Sequence, residues 1–139
     1  MITSTIQFTV GAPCHWAGMG DYVLLSPDQS YKVSLRYVGE PPQGDSYHLI
    51  DIAGRRFPGY AWGSMFTISA CSRFVAFSWM PEMFERLTVV ADVRRRRYCV
   101  LPQYIYEPHF VGETVFGRTT RDGVGEGSRL DDLQAWHSF

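Results

Sequence analysis

Apolar and polar side chains alternate along this chain with a period of two. Tyr31, Val33, Leu35 and Tyr37 alternate with Lys32, Ser34 and Arg36, and Leu87, Val89, Ala91 and Val93 alternate with Thr88 and Asp92. Successive side chains of a strand point to opposite faces, so this spacing predicts half-buried strands rather than amphipathic helices. Shorter runs rich in β-branched and aromatic residues extend the pattern: Thr3 to Val10, Asp21 to Leu25, Tyr47 to Ile52, Met65 to Ile68, Phe74 to Trp79, Tyr98 to Leu101, Tyr104 to Phe110 and Thr114 to Arg118. Between them lie turn signals at Gly11-Ala12-Pro13, Ser26-Pro27-Asp28, Gly39 to Asp45, Gly54, Pro58-Gly59, Pro81 and Pro102. The expectation is an all-β domain of antiparallel meander sheets.

With 139 residues, 45% of them hydrophobic and 15% aromatic, the chain has enough buriable surface for one core without disulfides or metal. Residues 1–120 are read as that single domain. Residues 121–139 are read as a Gly-rich linker and a C-terminal tail, in which Leu130 to Phe139 suits either a short helix capped by Ser128 or a loose end. The net charge of −1 exerts no global pull on nucleic acid or anionic membrane. The first ten residues lack a charged leader with an apolar core, and no run of about 18 apolar residues occurs, so a cytoplasmic protein is expected. Cys14, Cys71 and Cys99 are odd in number and form no C-x-x-C pair, as suits a reducing compartment, and are read as small core residues.

A weak internal repeat organises the middle of the chain. Residues 26–33 align with residues 69–76, and residues 49–57 align with residues 90–98. Each unit reads as turn, strand, connection, a strand ending in Asp51 or Asp92, a basic turn and a final strand. Over Ser26 to Pro102 this resembles the four-stranded blade of a β-propeller. A closed propeller needs at least four blades of about 40 residues, more than this chain can hold. The resemblance therefore implies meander sheets packed as a sandwich or as an incomplete propeller.

The candidate chemistry is sparse. Cys14 and His15 are adjacent and point apart in an extended segment, and no zinc spacing occurs, so no metal or other cofactor is expected. Neither a G-x-S-x-G elbow, nor H-E-x-x-H, nor a P-loop is present. An enzyme reading would rest on His48 or His109 with a carboxylate, as in a small hydrolase, but alternation separates His48 from Asp51. Asp51 and Asp92 fit turn-stabilising carboxylates better.

Arg94, Arg95, Arg96 and Arg97 should form a hairpin tip suited to phosphate or to a partner's carboxylates. The aromatics fall at core periods and the domain is slightly acidic, so nucleic acid is not the expected partner. Trp79, Met80, Met83 and Phe84 lie in a stretch read as a connection, and Tyr60 and Trp62 stand between glycines. Such residues either fold over the core or make a contact surface. In size and character the chain resembles bacterial toxin-neutralising immunity proteins. That resemblance implies a non-enzymatic protein that docks on a cognate toxin through Tyr60, Trp62, Trp79 to Phe84 and Arg94 to Arg97. A structural module completed by another chain is the remaining alternative.

Overall fold

The structure, a computed structural model, describes residues 3–9, 19–41, 44–83, 85–119 and 125–139. Strand β1 (Thr3–Gln7) precedes two four-stranded meanders. The first comprises β2 (Asp21–Leu25), β3 (Lys32–Gly39), β4 (Tyr47–Ile52) and β5 (Arg55–Arg56). The second comprises β6 (Tyr60–Ile68), β7 (Phe74–Met80), β8 (Leu87–Asp92) and β9 (Arg97–Val100). Strand β4 pairs with β6 as well as β5, with Tyr47 opposite Trp62, and this pairing fuses the meanders into one sheet. The sheet runs in the order β1-β2-β3-β4-β6-β7-β8-β9-β13, where β13 (His137–Ser138) adds to β9. Strand β1 lies parallel to β2, so the sheet is mixed rather than wholly antiparallel. A second, three-stranded sheet holds β10 (Tyr106–Val111), β11 (Thr114–Arg118) and β12 (Gly125–Arg129).

The two aligned turns share their hydrogen bonds. Ser26 N–H donates to Tyr31 O at 3.1 Å and Ser69 N–H to Phe74 O at 2.8 Å. Gln29 and Ser72 take the left-handed conformation, with φ of 60° and 63°. The Ser26 and Ser69 hydroxyls accept from Tyr31 N–H and Phe74 N–H at 3.3 and 3.0 Å. The second aligned pair is equally regular: Asp51 stands opposite Arg56, and Asp92 opposite Arg97, each as an ion pair across its hairpin.

Two apolar cores share the central strands. Leu24, Val33, Leu35, Ile50, Ile52, Val75, Phe77, Val89 and Ala91 line one face of the large sheet, where Phe57 meets Phe77 at 5.4 Å between ring centroids. Ala76 and Val90, on the opposite face of β7 and β8, pack against Phe110, Val115, Ile105 and Leu130 beneath the small sheet. Strand β8 is therefore buried on both faces rather than half buried, because the small sheet covers the side that carries Thr88 and Val90.

The C-terminal expectations need correction. Residues 125–139 are built into both sheets, and only the linker residues 121–124 lie outside the described residues. Ser128 is held opposite Val115 in the β11–β12 ladder and so cannot cap a helix. A single 3-10 turn, Leu130–Asp132, follows, and the chain then extends to lay the Phe139 ring 5.0 Å from Phe57. Among the described residues no helix is long and apolar enough to cross a membrane.

Candidate functional site

Strand β8 separates two candidate sites. Its six residues span roughly 17 Å, with the arginine turn at one tip and the connection containing Met83 and Arg86 at the other. The surface expected from sequence is therefore divided between opposite ends of the sheet.

At the first end, Asp92 is fully buried. It accepts from Arg73 Nε at 3.0 Å and Arg73 Nη2 at 2.9 Å, and from Arg97 Nε and Arg95 N–H at 3.3 Å each. Burial alone would raise its pKa, but the Arg73 bonds, the Arg95 N–H and Arg97 together hold the carboxyl below its usual range. Arg97 also lies over the Trp136 ring at 4.3 Å. Arg96 adopts a φ of 52°, and its carbonyl accepts Phe139 N–H at 3.0 Å. The backbone of the turn is thus tied at both sides. Arg94, Arg95 and Arg96 are exposed, and among the described residues their guanidinium groups form no ion pair.

Cys71 sits beside this turn and is exposed, not the core residue expected; Cys99 is buried. Burial pushes the Cys71 thiol up, but contacts from Ser69, from Arg73 N–H and from Arg94 bring it below its ordinary value. Cys71 occupies the place that Asp28 holds in the first aligned turn. Asp28 accepts from Ser30 and Ser26, and these bonds lower its carboxyl to about 2.

At the second end, a cleft of about 550 Å³ opens between the two sheets. Strand β6 leaves its ladder with β7 between Ala61 and Phe66, and in this bulge Gly63 has a φ of 102°. A Cβ at Gly63 would stand 3.3 Å from Arg86 Nη2, so the missing side chain makes room for that guanidinium. Arg86 lies 4.3 Å over the Trp62 ring and donates to Asp45 at 2.9 Å, while Trp62 Nε1 donates to Asp45 O at 2.9 Å. On the facing wall Arg118 pairs with Glu107 at 3.1 Å. Glu107 has a φ of 53° in the bulge between Tyr106 and His109. The Tyr104 and Tyr106 rings meet edge to face at 5.0 Å, and Tyr104 donates to the Ser78 hydroxyl at 3.2 Å.

Several sequence candidates fall elsewhere. Trp79 and Met80 are core residues with 5% and 0% exposure, a correction to their expected contact role. Strand β7 runs on to Met80, and the Trp79 indole donates inward to Pro58 O at 2.7 Å. Tyr60 is half buried with its ring 5.4 Å from Tyr47, and Met83 is exposed. Phe84, Cys14 and His15 lie outside the described residues. His48 is fully buried between Tyr22 and Tyr37, with Nε2 at 2.9 Å from Gly20 O. Burial lowers its pKa, against the opposing pull of Gly20 O and Asp21. His109 stacks on Phe116 at 5.7 Å. Neither imidazole lines the cleft.

Sequence reasoning missed Asp45, Tyr104, Tyr106, Glu107 and Arg118 as one group. The alternation of Tyr104 and Tyr106 after Pro102 was the available signal, but nothing local joins it to β6. No protein-family model, curated protein or solved structure matches this chain.

Proposed function

We propose that the protein works without chemistry of its own, by binding an acidic patch on another protein through the arginine turn. The finer reading is a toxin-neutralising immunity protein of a bacterial cytoplasm. One observation carries it: Arg94, Arg95 and Arg96 are exposed, without ion pairs among the described residues, on a turn pinned from below by buried Asp92. Three like charges held close together repel one another, and a partner's carboxylates relieve that repulsion. Guanidinium forks match carboxylates bidentately, and a turn already fixed in place loses little entropy on docking. Charge complementarity of this kind speeds encounter and excludes wrong partners.

The test is co-expression with the products of neighbouring reading frames. One of them should arrest growth, and this protein should relieve the arrest. The triple substitution Arg94→Glu, Arg95→Glu and Arg96→Glu should abolish relief and weaken binding of the purified pair about a hundredfold. Raising the salt should weaken the unsubstituted pair. Relief and affinity retained by the triple variant would remove the arginine turn as the contact, and a neighbourhood without a toxic product would remove the immunity reading.

A further inference from the structure

The cleft at the opposite end is chemically unlike the arginine turn. Its four charges cancel pairwise, Arg86 with Asp45 and Arg118 with Glu107, and both acids are more than half exposed in their side chains. Its other walls are mainly aromatic and apolar, with Trp62, Tyr104, Tyr106, Ile105 and Pro108 beside the Ser78 hydroxyl. We infer that this cleft is a binding site for a neutral saccharide.

Charge and polarity decide the ligand class. A phosphate or a polyanion entering the cleft meets Asp45 and Glu107, so balanced walls disfavour it. A purely apolar ligand would desolvate two carboxylates and two guanidinium groups without offering them hydrogen bonds. A pyranoside meets both demands. Its hydroxyl groups donate to the carboxylates and accept from the guanidiniums, and its C–H face covers an aromatic ring. Tyr106 supplies such a ring: it is 41% exposed and held edge to face against Tyr104. The volume of about 550 Å³ lies within the range of small-molecule sites.

The elements also fix the geometry in advance. Arg86 is stacked on Trp62 and bonded to Asp45, so it does not need to search for its orientation. The bulges in β6 and β10 bring Gly63 and Glu107 to the same space.

Maltose, cellobiose, lactose and N,N′-diacetylchitobiose are titrated separately into the full chain. Tryptophan fluorescence and amide NMR shifts are followed. At least one sugar should give a saturable change with a millimolar dissociation constant, localised to residues 62–65, 86 and 104–107. Tyr106→Ala and Arg118→Ala should each weaken it about tenfold. Tyr106→Phe should bind as the parent does, which separates loss of the ring face from loss of folding. Arg95→Glu, at the other end, should have no effect, so this outcome is independent of the arginine turn. Absence of saturable change with all four sugars overturns the inference. So does binding that survives both alanine variants, or tighter occupancy of the same cleft by tetra-alanine than by any sugar.

Discussion

His48 shows how burial turns one side chain into a source of pH dependence. Its ring is fully buried, wedged edge-on between Tyr22 and Tyr37 at 6.1 and 5.9 Å, with Nε2 against Gly20 O. Burial lowers its pKa below the ordinary 6.5, and the bond to Gly20 O and the charge of Asp21 only partly oppose it. Between the lowered folded pKa and 6.5 the unfolded chain binds more protons than the folded one. The stability His48 contributes is therefore complete above about pH 6.5 and declines as the pH falls toward the folded pKa. Urea unfolding at pH 7.5, 6.0 and 5.0 should show a falling midpoint, with a slope no steeper than about 1.4 kcal/mol per pH unit for one proton. His48→Gln should flatten this dependence while lowering stability at every pH. A parent midpoint that stays level from pH 7.5 to 5.0 would contradict the account. Asp28 acts in a separate window, since its contribution is lost only as the pH falls below 3.8 toward about 2.

The two aligned turns place different acceptors at the same position, Asp28 in one and Cys71 in the other. Asp28 in the first turn accepts from Ser30 N–H at 2.9 Å and from the Ser26 hydroxyl at 3.0 Å. Cys71 in the second turn stands 3.5 Å from the Ser69 hydroxyl, and the nearby Arg73 N–H helps to lower its thiol pKa. The same two positions are used, but a thiol is the weaker acceptor. Cys71→Asp should therefore stabilise the second turn, raising stability by about 1 kcal/mol with Arg94 nearby to favour the charge. Thermal unfolding checks this, and a lower Tm in Cys71→Asp would show that the turns are alike only in backbone. The two turns also touch, Asp28 N–H donating to the Ser72 hydroxyl at 3.1 Å.

Strands bounded by such local chemistry were legible from sequence. The ranges read for β2, β4 and β11 match the structure residue for residue, because β-branched and aromatic content and flanking turn residues define them without help from distant chain. The sequence Gly125 to Arg129 has no apolar period, and β12 exists because β11 offers it a ladder. The first half of β6 was hidden for a related reason: Tyr60 to Gly63 is extended by pairing with β4, then bulges. The arginine turn was visible as a charge run, whereas its buried latch, Arg73 on Asp92, joins residues 19 apart. The cleft was not visible, since its walls come from both sheets and meet only in the folded chain.

For the whole molecule, β7 and β8 decide whether it unfolds as one body. Phe77 and Val89 face the larger core, while Ala76 and Val90 face the smaller one, so each strand belongs to both. The apolar side chains of the small sheet, Phe110 and Val115, lie with Leu130 in the second core, and β10 also contacts β6 of the large sheet. A cavity made there must be felt by β7 and β8 and through them by the large sheet. Phe110→Ala should cost about 3 to 5 kcal/mol and still give a single unfolding transition. Far-ultraviolet circular dichroism, tryptophan fluorescence and calorimetry should then share one midpoint, lowered equally in all three. If the small sheet were instead an independent layer, the substitution would release it alone. Amides of β10 to β12 would exchange early while those of β3, β4 and β7 kept the parent's protection, and hydrogen exchange followed strand by strand distinguishes the two outcomes.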